Sequence, residues 1–437
     1  MKLKLLLILC SIASISALAQ SQKVQVAKEA DGMRLLVDGQ PFMVNGMNWD
    51  YVPIGNTITD PGIWSRSDDV IMAALDAEMS MLRNMGVNTI RTNDLDPKWI
   101  QYIYENYGIY TMLNITFGAY GLTIDGVWTP QTDYADPATR EILMNEAINM
   151  ANTYKGTPGL LLYMIGNENN YHLSWTGAET EAIPIEGIDS EKIKAARALY
   201  KAFNDATLEV KKIDTNVPVA ICNGDLLYAD LVAQECSAVD IYGTNMYRGI
   251  SFGDAFQRVA TELNKPILFA EFGADAFNAR DNQEDQFSQA YYMTGNWREI
   301  YANAAGIGGA MNSIGGFTFQ FSDGWWKYKQ TENLDIHDNN ASWPNGGYSR
   351  DQANPGDNNM NEEWFGICAK GPTNERGLYT LYPRAAYYSL KEAHELNVYA
   401  SGVDLAFVNT HFDNIDIFDA ELRARGDKAA LAGELGG

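Results

Sequence analysis

The sequence predicts an α/β protein: a (β/α)8 TIM barrel with a short N-terminal β-hairpin and a long loop after strand 8. Three observations carry this. Eight short apolar runs alternate with amphipathic stretches of helical period along most of the 437 residues. Runs such as Leu160–Gly166 (LLLYMIG) and Pro266–Gly273 (PILFAEFG) are apolar without alternation, as in parallel strands covered on both faces. No Gly-rich phosphate fingerprint follows the first run, which counts against an open dinucleotide-binding sheet.

The elements follow in order. Residues 1–19 read as an export signal. Lys2 and Lys4 precede the apolar stretch that starts at Leu5–Leu9, which is too short to span a bilayer, and Ala17-Leu18-Ala19 has the form of a cleavage site. Leu9 before Cys10 fits a lipoprotein signal poorly, so export without an anchor is expected. Residues 20–41 hold short strands with a turn at Asp38-Gly39. Residues 42–398 form the barrel. Its strands are expected at Phe42–Trp49, Val87–Thr92, Tyr110–Thr116, Leu160–Glu168, Val217–Asn223, Val239–Tyr247, Pro266–Gly273 and Phe317–Phe321. Helices are expected at Asp69–Met85, Pro97–Tyr107, Ala138–Tyr154, Ser190–Lys212, Leu226–Gln234, Phe252–Leu263, Asp285–Ala304 and Pro383–Glu395. Residues 323–382, rich in Asn, Asp, Gly and Trp, are a loop long enough to shape a ligand site. The tail, 399–437, reads as strand-like residues followed by an Ala/Glu/Arg stretch, either a small appendage or a poorly ordered end.

Composition narrows the function. Hydrophobic residues are 46% and charged residues 20%, ordinary for a globular chain. The net charge of −24, from 32 basic and 56 acidic residues, disfavours binding to nucleic acid or to anionic membrane surfaces. No run beyond the leader is long enough to span a membrane. Past the leader three cysteines remain, Cys222, Cys236 and Cys368. They allow one disulfide at most, with Cys222 and Cys236 nearest in sequence, and buried thiols are the simpler expectation. Four histidines and no HExxH leave no His-based metal centre. The Asp/Asn-rich stretches Asp335–Asn340 and Asp351–Asn361 match no EF-hand spacing and read as solvated loop. No metal and no cofactor is expected. Ten Trp and 24 Tyr include flat rings suited to sugar faces. Trp49, Trp128, Trp175 and Trp343 are candidates for either packing or stacking on a sugar.

In a (β/α)8 barrel, function sits at the carboxyl ends of the strands. Two carboxylates fall there: Glu168 in Gly-Asn-Glu-Asn-Asn at the end of strand four, and Glu271 in Glu-Phe-Gly at the end of strand seven. Strands on opposite sides of a barrel can aim both into one mouth. Acetal hydrolysis needs such a pair, one carboxyl protonated to serve the leaving oxygen and one ionised to attack the anomeric carbon or activate water. Arg91, ending strand two, and Tyr247, at the end of strand six, are placed to hold Glu271 ionised. Asn167 is placed to bind a sugar 2-hydroxyl. Asn245 also lies at the end of strand six. Beyond strand eight stand Asp323, Trp325 and Trp326, with one tryptophan expected to face the sugar. His172 reads as an ordinary loop histidine.

The pairing of Gly-Asn-Glu at strand four with Glu-Phe-Gly at strand seven resembles the clan A glycoside hydrolases. Around Glu271, EFGADAF is most similar to the barrel of glycoside hydrolase family 2, and is also similar to the β-glucanases and glucanosyltransferases of that clan. The resemblance covers roughly residues 40–396. It implies a retaining β-glycosidase with Glu168 as acid/base and Glu271 as nucleophile. It further implies that Arg91, Tyr247 and Trp325 or Trp326 contact the site. Family 2 barrels follow a jelly-roll and an immunoglobulin-like domain, where this sequence has the short strands of 20–41. The expected substrate is a β-linked oligo- or polysaccharide, β-glucan first, then β-mannan or β-galactan. The protein is expected to be an exported monomer. Two rivals stand beside hydrolysis: transglycosylation by the same residues, and a carbohydrate-binding barrel without turnover.

Overall fold

The computed structural model describes residues 22–173, 190–326, 330–339, 348, 350 and 360–434, with side chains to 426. The leader, Trp175, Trp343 and most of Asp351–Asn361 lie outside the described residues. Eight parallel strands close into a barrel: β4 (Val44–Asn48), β5 (Thr89–Asn93), β6 (Tyr110–Ile115), β9 (Leu160–Ile165), β10 (Val219–Gly224), β11 (Ile241–Asn245), β12 (Ile267–Phe272) and β15 (Ser313–Thr318), with β15 pairing back to β4. Every residue of β9 and β10 is buried, as their unbroken apolar runs require between a filled barrel and its helices.

Before the barrel, β1 (Val24–Glu29), β2 (Gly32–Val37) and β3 (Gln40–Phe42) form an antiparallel sheet. The turn at Asp38-Gly39 joins β2 to β3, so the expected hairpin is present and one strand larger. The sheet rests on the segment entering β15, where Met33 N–H donates to Met311 O at 2.8 Å.

The helices are α1 (Asp68–Asn84), α2 (Pro97–Tyr107), α3 (Pro137–Tyr154), α4 (Ser190–Ile213), α5 (Ala229–Glu235), α6 (Ala255–Arg258), α7 (Gln286–Ala302) and α8 (Ala385–His394). Sequence signals set several starts. Asp96 and Asp136 each cap a helix whose next residue is proline, accepting from Lys98 N and Thr139 N at 2.8 Å. Gly108, at φ +66°, closes α2 in the left-handed conformation. After α6 the helix loosens into a π turn over Val259–Leu263.

Three expectations need correction. Strand eight begins four residues early, at Ser313, because its start is glycine-rich and lacks a strand composition. The glycines are steric: a Cβ on Gly315 would lie 2.2 Å from Val44 O. The 323–382 segment is not all loop, since β16 (Cys368–Thr373) and β17 (Tyr379–Pro383) pair antiparallel within it. The tail is helical: α9 (Leu405–Asp413) and α10 (Ile417–Glu434) pack on α7 and α8. Its apolar residues Val408, Phe412 and Ala420 face that contact and are buried. Two small hairpins lie on the carboxyl side: β7 (Leu122–Ile124) with β8 (Val127–Thr129), and β13 (Phe277–Asn278) with β14 (Gln283–Glu284). Among the described residues no helix is long and apolar enough to cross a membrane.

Candidate active site

Each residue of Gly166-Asn-Glu-Asn-Asn170 has a separate task. Gly166 turns the chain out of β9 at φ +88°, and a Cβ there would strike Asn169 Oδ1 at 2.5 Å. Asn169 and Asn170 are fully buried clamps. Asn169 accepts from Asn167 N (2.8 Å) and donates to Phe117 O (2.9 Å). Asn170 exchanges two bonds with the backbone of Gly224, at 2.7 and 2.8 Å. Between them Glu168 is held at φ +56°, its N–H on Cys222 O at 3.0 Å. A non-glycine residue in that region costs energy that the two clamps must offset. The side chains of Asn167 and Glu168 are thereby turned into the barrel mouth.

Glu271 lies within β12 and is its one incompletely buried residue. Its Oε1 accepts from Arg91 Nη1, and its Oε2 accepts from Tyr247 Oη at 2.9 Å. Arg91 is the hub. Nε and Nη2 donate to Asn114 Oδ1 (2.9 and 2.6 Å), Nη1 to Asn48 Oδ1 (2.9 Å) and Nη2 to Asn167 Oδ1 (2.7 Å). A buried guanidinium needs its donors filled, and side chains from or just beyond β4, β6, β9 and β12 fill them. Tyr247 is itself fixed by Phe365 and Phe319, whose rings meet it edge to face at 5.5 and 6.2 Å.

Glu168 joins the same network through Asn245, whose Nδ2 donates to Glu168 Oε1 and to Asn167 Oδ1, both at 3.1 Å. The two carboxyls therefore differ in surroundings. Glu271 has a guanidinium and a phenol on its oxygens, an arrangement suited to the anion. Burial, then the negative charge of Glu271, push the Glu168 carboxyl up to about 8, opposed by the Asn245 bond and by Arg91. Glu362, at the head of the turn Glu362–Trp364, adds a smaller push in the same direction.

Sequence reasoning overlooked Cys222, treating it as an inert buried thiol. It is buried and unpaired to sulfur, as expected, yet Sγ lies 3.1 Å from Asn245 Oδ1. Arg91 only donates, so Asn167 presents Oδ1 to it. Asn245 must then turn Nδ2 toward Asn167 and Oδ1 toward Cys222, so Cys222 donates. Burial pushes its thiol up to about 12, which keeps the proton in place. Cys222→Ala should leave Asn245 Oδ1 without this donor and lower stability by about 1–3 kcal/mol relative to Cys222→Ser. Urea denaturation of the two variants measures the difference, and equal midpoints would refute the assigned polarity.

Asn48 and Asn114 were also missed as partners of Arg91, although strand-end asparagines in a barrel are a readable signal. Tyr120 was missed entirely. Its hydroxyl accepts from Asn167 Nδ2 at 2.6 Å, and its ring meets His172 edge-on at 5.8 Å.

The tryptophans divide. Trp49 is buried, donates from Nε1 to Glu78 Oε2 at 2.6 Å and meets Trp64 edge to face at 6.2 Å. Burial raises Glu78 to about 8. Trp49 is thus packed, and Trp64 beside it is the more exposed ring. Trp325 stacks on His337 at 4.5 Å, and His337 stacks on Trp364 at 3.8 Å. Trp326 follows, partly exposed. Asp323 is fully buried and bidentate with Arg384 (2.7 Å twice), anchoring the 323–382 segment to the start of α8. Trp128 stands on the β7–β8 hairpin and is 59% exposed. Among the described residues no cluster of His, Cys, Asp and Glu has the form of a metal site.

Comparisons with known proteins bear on the family and the fold. A probable 1,3-β-glucanosyltransferase of Saccharomyces cerevisiae is 23% identical over 289 residues, 58% of this chain and 49% of that protein. A family 2 β-galacturonidase of Eisenbergiella tayi bound to galacturonate superposes with a TM-score of 0.53 at 14% identity, over 87% of this chain and 55% of that one. A β-glucuronidase of Bifidobacterium dentium, complexed with coumarin-3-O-glucuronide, does so with a TM-score of 0.51 at 17% identity, over 86% and 49%. The chain spans about half the length of these relatives, and the superpositions speak to the fold. Residues 29–333 match the glycosyl hydrolases family 2 TIM barrel domain, a stretch that contains Arg91, Glu168, Asn245 and Glu271, and the chain belongs to that family.

Proposed function

We propose that this protein is an exported, monomeric, retaining β-glycoside hydrolase that cleaves a neutral β-linked glycan. β-Glucan is the favoured substrate, with β-mannan or β-galactan behind it. The observation that carries the reading is the contrast between two carboxyls in one hydrogen-bonded network. Glu271 is bound by Arg91 and Tyr247, while Glu168 keeps its proton to about pH 8. Glu271 attacks the anomeric carbon as Glu168 gives its proton to the departing oxygen. The leaving sugar departs, and the glycosyl group stays on Glu271 as an ester. Glu168, now ionised, takes a proton from water, and the resulting oxygen nucleophile displaces Glu271. Both steps invert the anomeric carbon, so the product is β. No cofactor enters this sequence.

Charge supports a neutral sugar. A uronate would bring a further carboxylate beside Glu168, Glu271 and Glu362, while Arg91 is already taken up by Glu271, Asn48, Asn114 and Asn167. The yeast relative's name supports a β-glucan. It also supports a second reading with the same residues, in which a sugar hydroxyl replaces water in the second step. Proton NMR of the first product from soluble β-1,3-glucan tests the scheme. The β anomer should appear first, with longer oligosaccharides at high substrate concentration if transfer competes. An α anomer as first product, or no cleavage of any β-glycan or aryl β-glycoside, rejects it.

A further inference from the structure

We propose that Trp128 and Tyr120 form a stacking platform for a second sugar ring, beyond the one held between Glu168 and Glu271, so that the site takes a glycan chain rather than a single glycoside. This rests on the glycosidase reading above.

The strip begins at the catalytic network. Tyr120 Oη accepts from the Asn167 amide at 2.6 Å, which places its hydroxyl one residue from Glu168, while 41% of the residue remains exposed. His172 meets the ring edge-on and braces it from the β9 side. Gly121 follows at φ +101°. A side chain there would meet Thr129 O at 2.5 Å and the Trp128 ring at 2.8 Å. The glycine therefore lets the indole lie against the backbone next to Tyr120. Across the hairpin Trp128 pairs with Thr123, also exposed, and Val127 at the tip is exposed as well.

Trp128 is thus a large aromatic ring, 59% exposed, on a short hairpin at the carboxyl end of the barrel. A packing role would bury it, as it buries Trp49, Trp99 and Trp297. An exposed indole lying against the residue that follows a site-touching tyrosine is instead suited to the apolar face of a pyranose. Stacking of this kind tolerates different sugars but requires a ring beyond the cleaved bond.

The test compares substrates of two lengths on the full chain. In Trp128→Ala, kcat/KM on a β-1,3-linked tetrasaccharide should fall about tenfold, mostly through KM, while kcat/KM on an aryl β-glucoside stays within twofold. Trp128→Tyr should keep most of the tetrasaccharide activity. Equal losses on both substrates, or none on either, overturn the platform while leaving the hydrolase standing. If the parent protein cleaves neither substrate, the β-glucan reading fails, and gel retardation by soluble β-1,3-glucan decides the platform separately. Retardation of the parent that disappears in Trp128→Ala supports it; identical mobility overturns it.

Discussion

Glu271→Ala is expected to lower kcat by roughly 10⁴-fold or more, because no other group then forms the covalent bond to the anomeric carbon. The fold should survive. Glu271 is partly exposed in β12, and removing it leaves Arg91 with three asparagine partners, Asn48, Asn114 and Asn167. Circular dichroism and the melting transition check this. Azide supplied to Glu271→Gly should restore turnover, since a small anion can enter the space left by the side chain and attack from the same side. The product should be the α-glycosyl azide, the outcome of a single inversion. Near-parental turnover by the alanine variant, or a β-azide from the glycine variant, would remove Glu271 from the nucleophile's role.

Glu168→Ala should show a different pattern, with an effect that depends on the leaving group. General acid catalysis contributes about 10²–10⁴-fold, so a glucan or oligosaccharide, whose departing alkoxide needs a proton, should lose that much. An aryl glycoside with an acidic phenol should lose far less in the first step and accumulate as glycosyl-enzyme. The pH profile gives the second readout. The acid must be protonated to act, so activity of the parent should hold below about pH 8 and fall as pH rises through that value, where Glu168 loses its proton. The alanine variant should lack that descending limb. A limb that persists unchanged in Glu168→Ala would assign it to another group. Asn245 donates to Glu168 and opposes its raised pKa, so Asn245→Ala should move the limb upward from the parent's.

The legible part of this molecule was the part written in local pattern. Buried parallel strands need continuous apolar runs, and the Asp-Pro helix starts and the Asp38-Gly39 turn follow from backbone chemistry over a few residues. The strand-end rule then picks out both glutamates, Arg91, Asn167, Asn245 and Tyr247 from sequence. Strand eight was misplaced because its glycines are demanded by the neighbouring backbone of Val44, a contact made across most of the chain. The tail was misread because its apolar residues answer to α7 and α8 and not to their own neighbours.

What the sequence determined by itself was therefore the barrel, its strand order and the identity of the two carboxyls. Tertiary structure alone decided how those carboxyls differ. Glu168 owes its retained proton to burial beside Glu271, and Glu271 owes its two donors to residues carried on other strands. The same holds for Cys222, an inert thiol by composition that becomes a donor because Arg91 sets the direction of every amide between them. Likewise Trp49 and Trp128 look alike in sequence, yet one is buried on Glu78 and the other faces solvent. Charge and hydrogen-bond direction depend on groups brought within a few ångströms by closure of the barrel, and those distances are not encoded in local pattern.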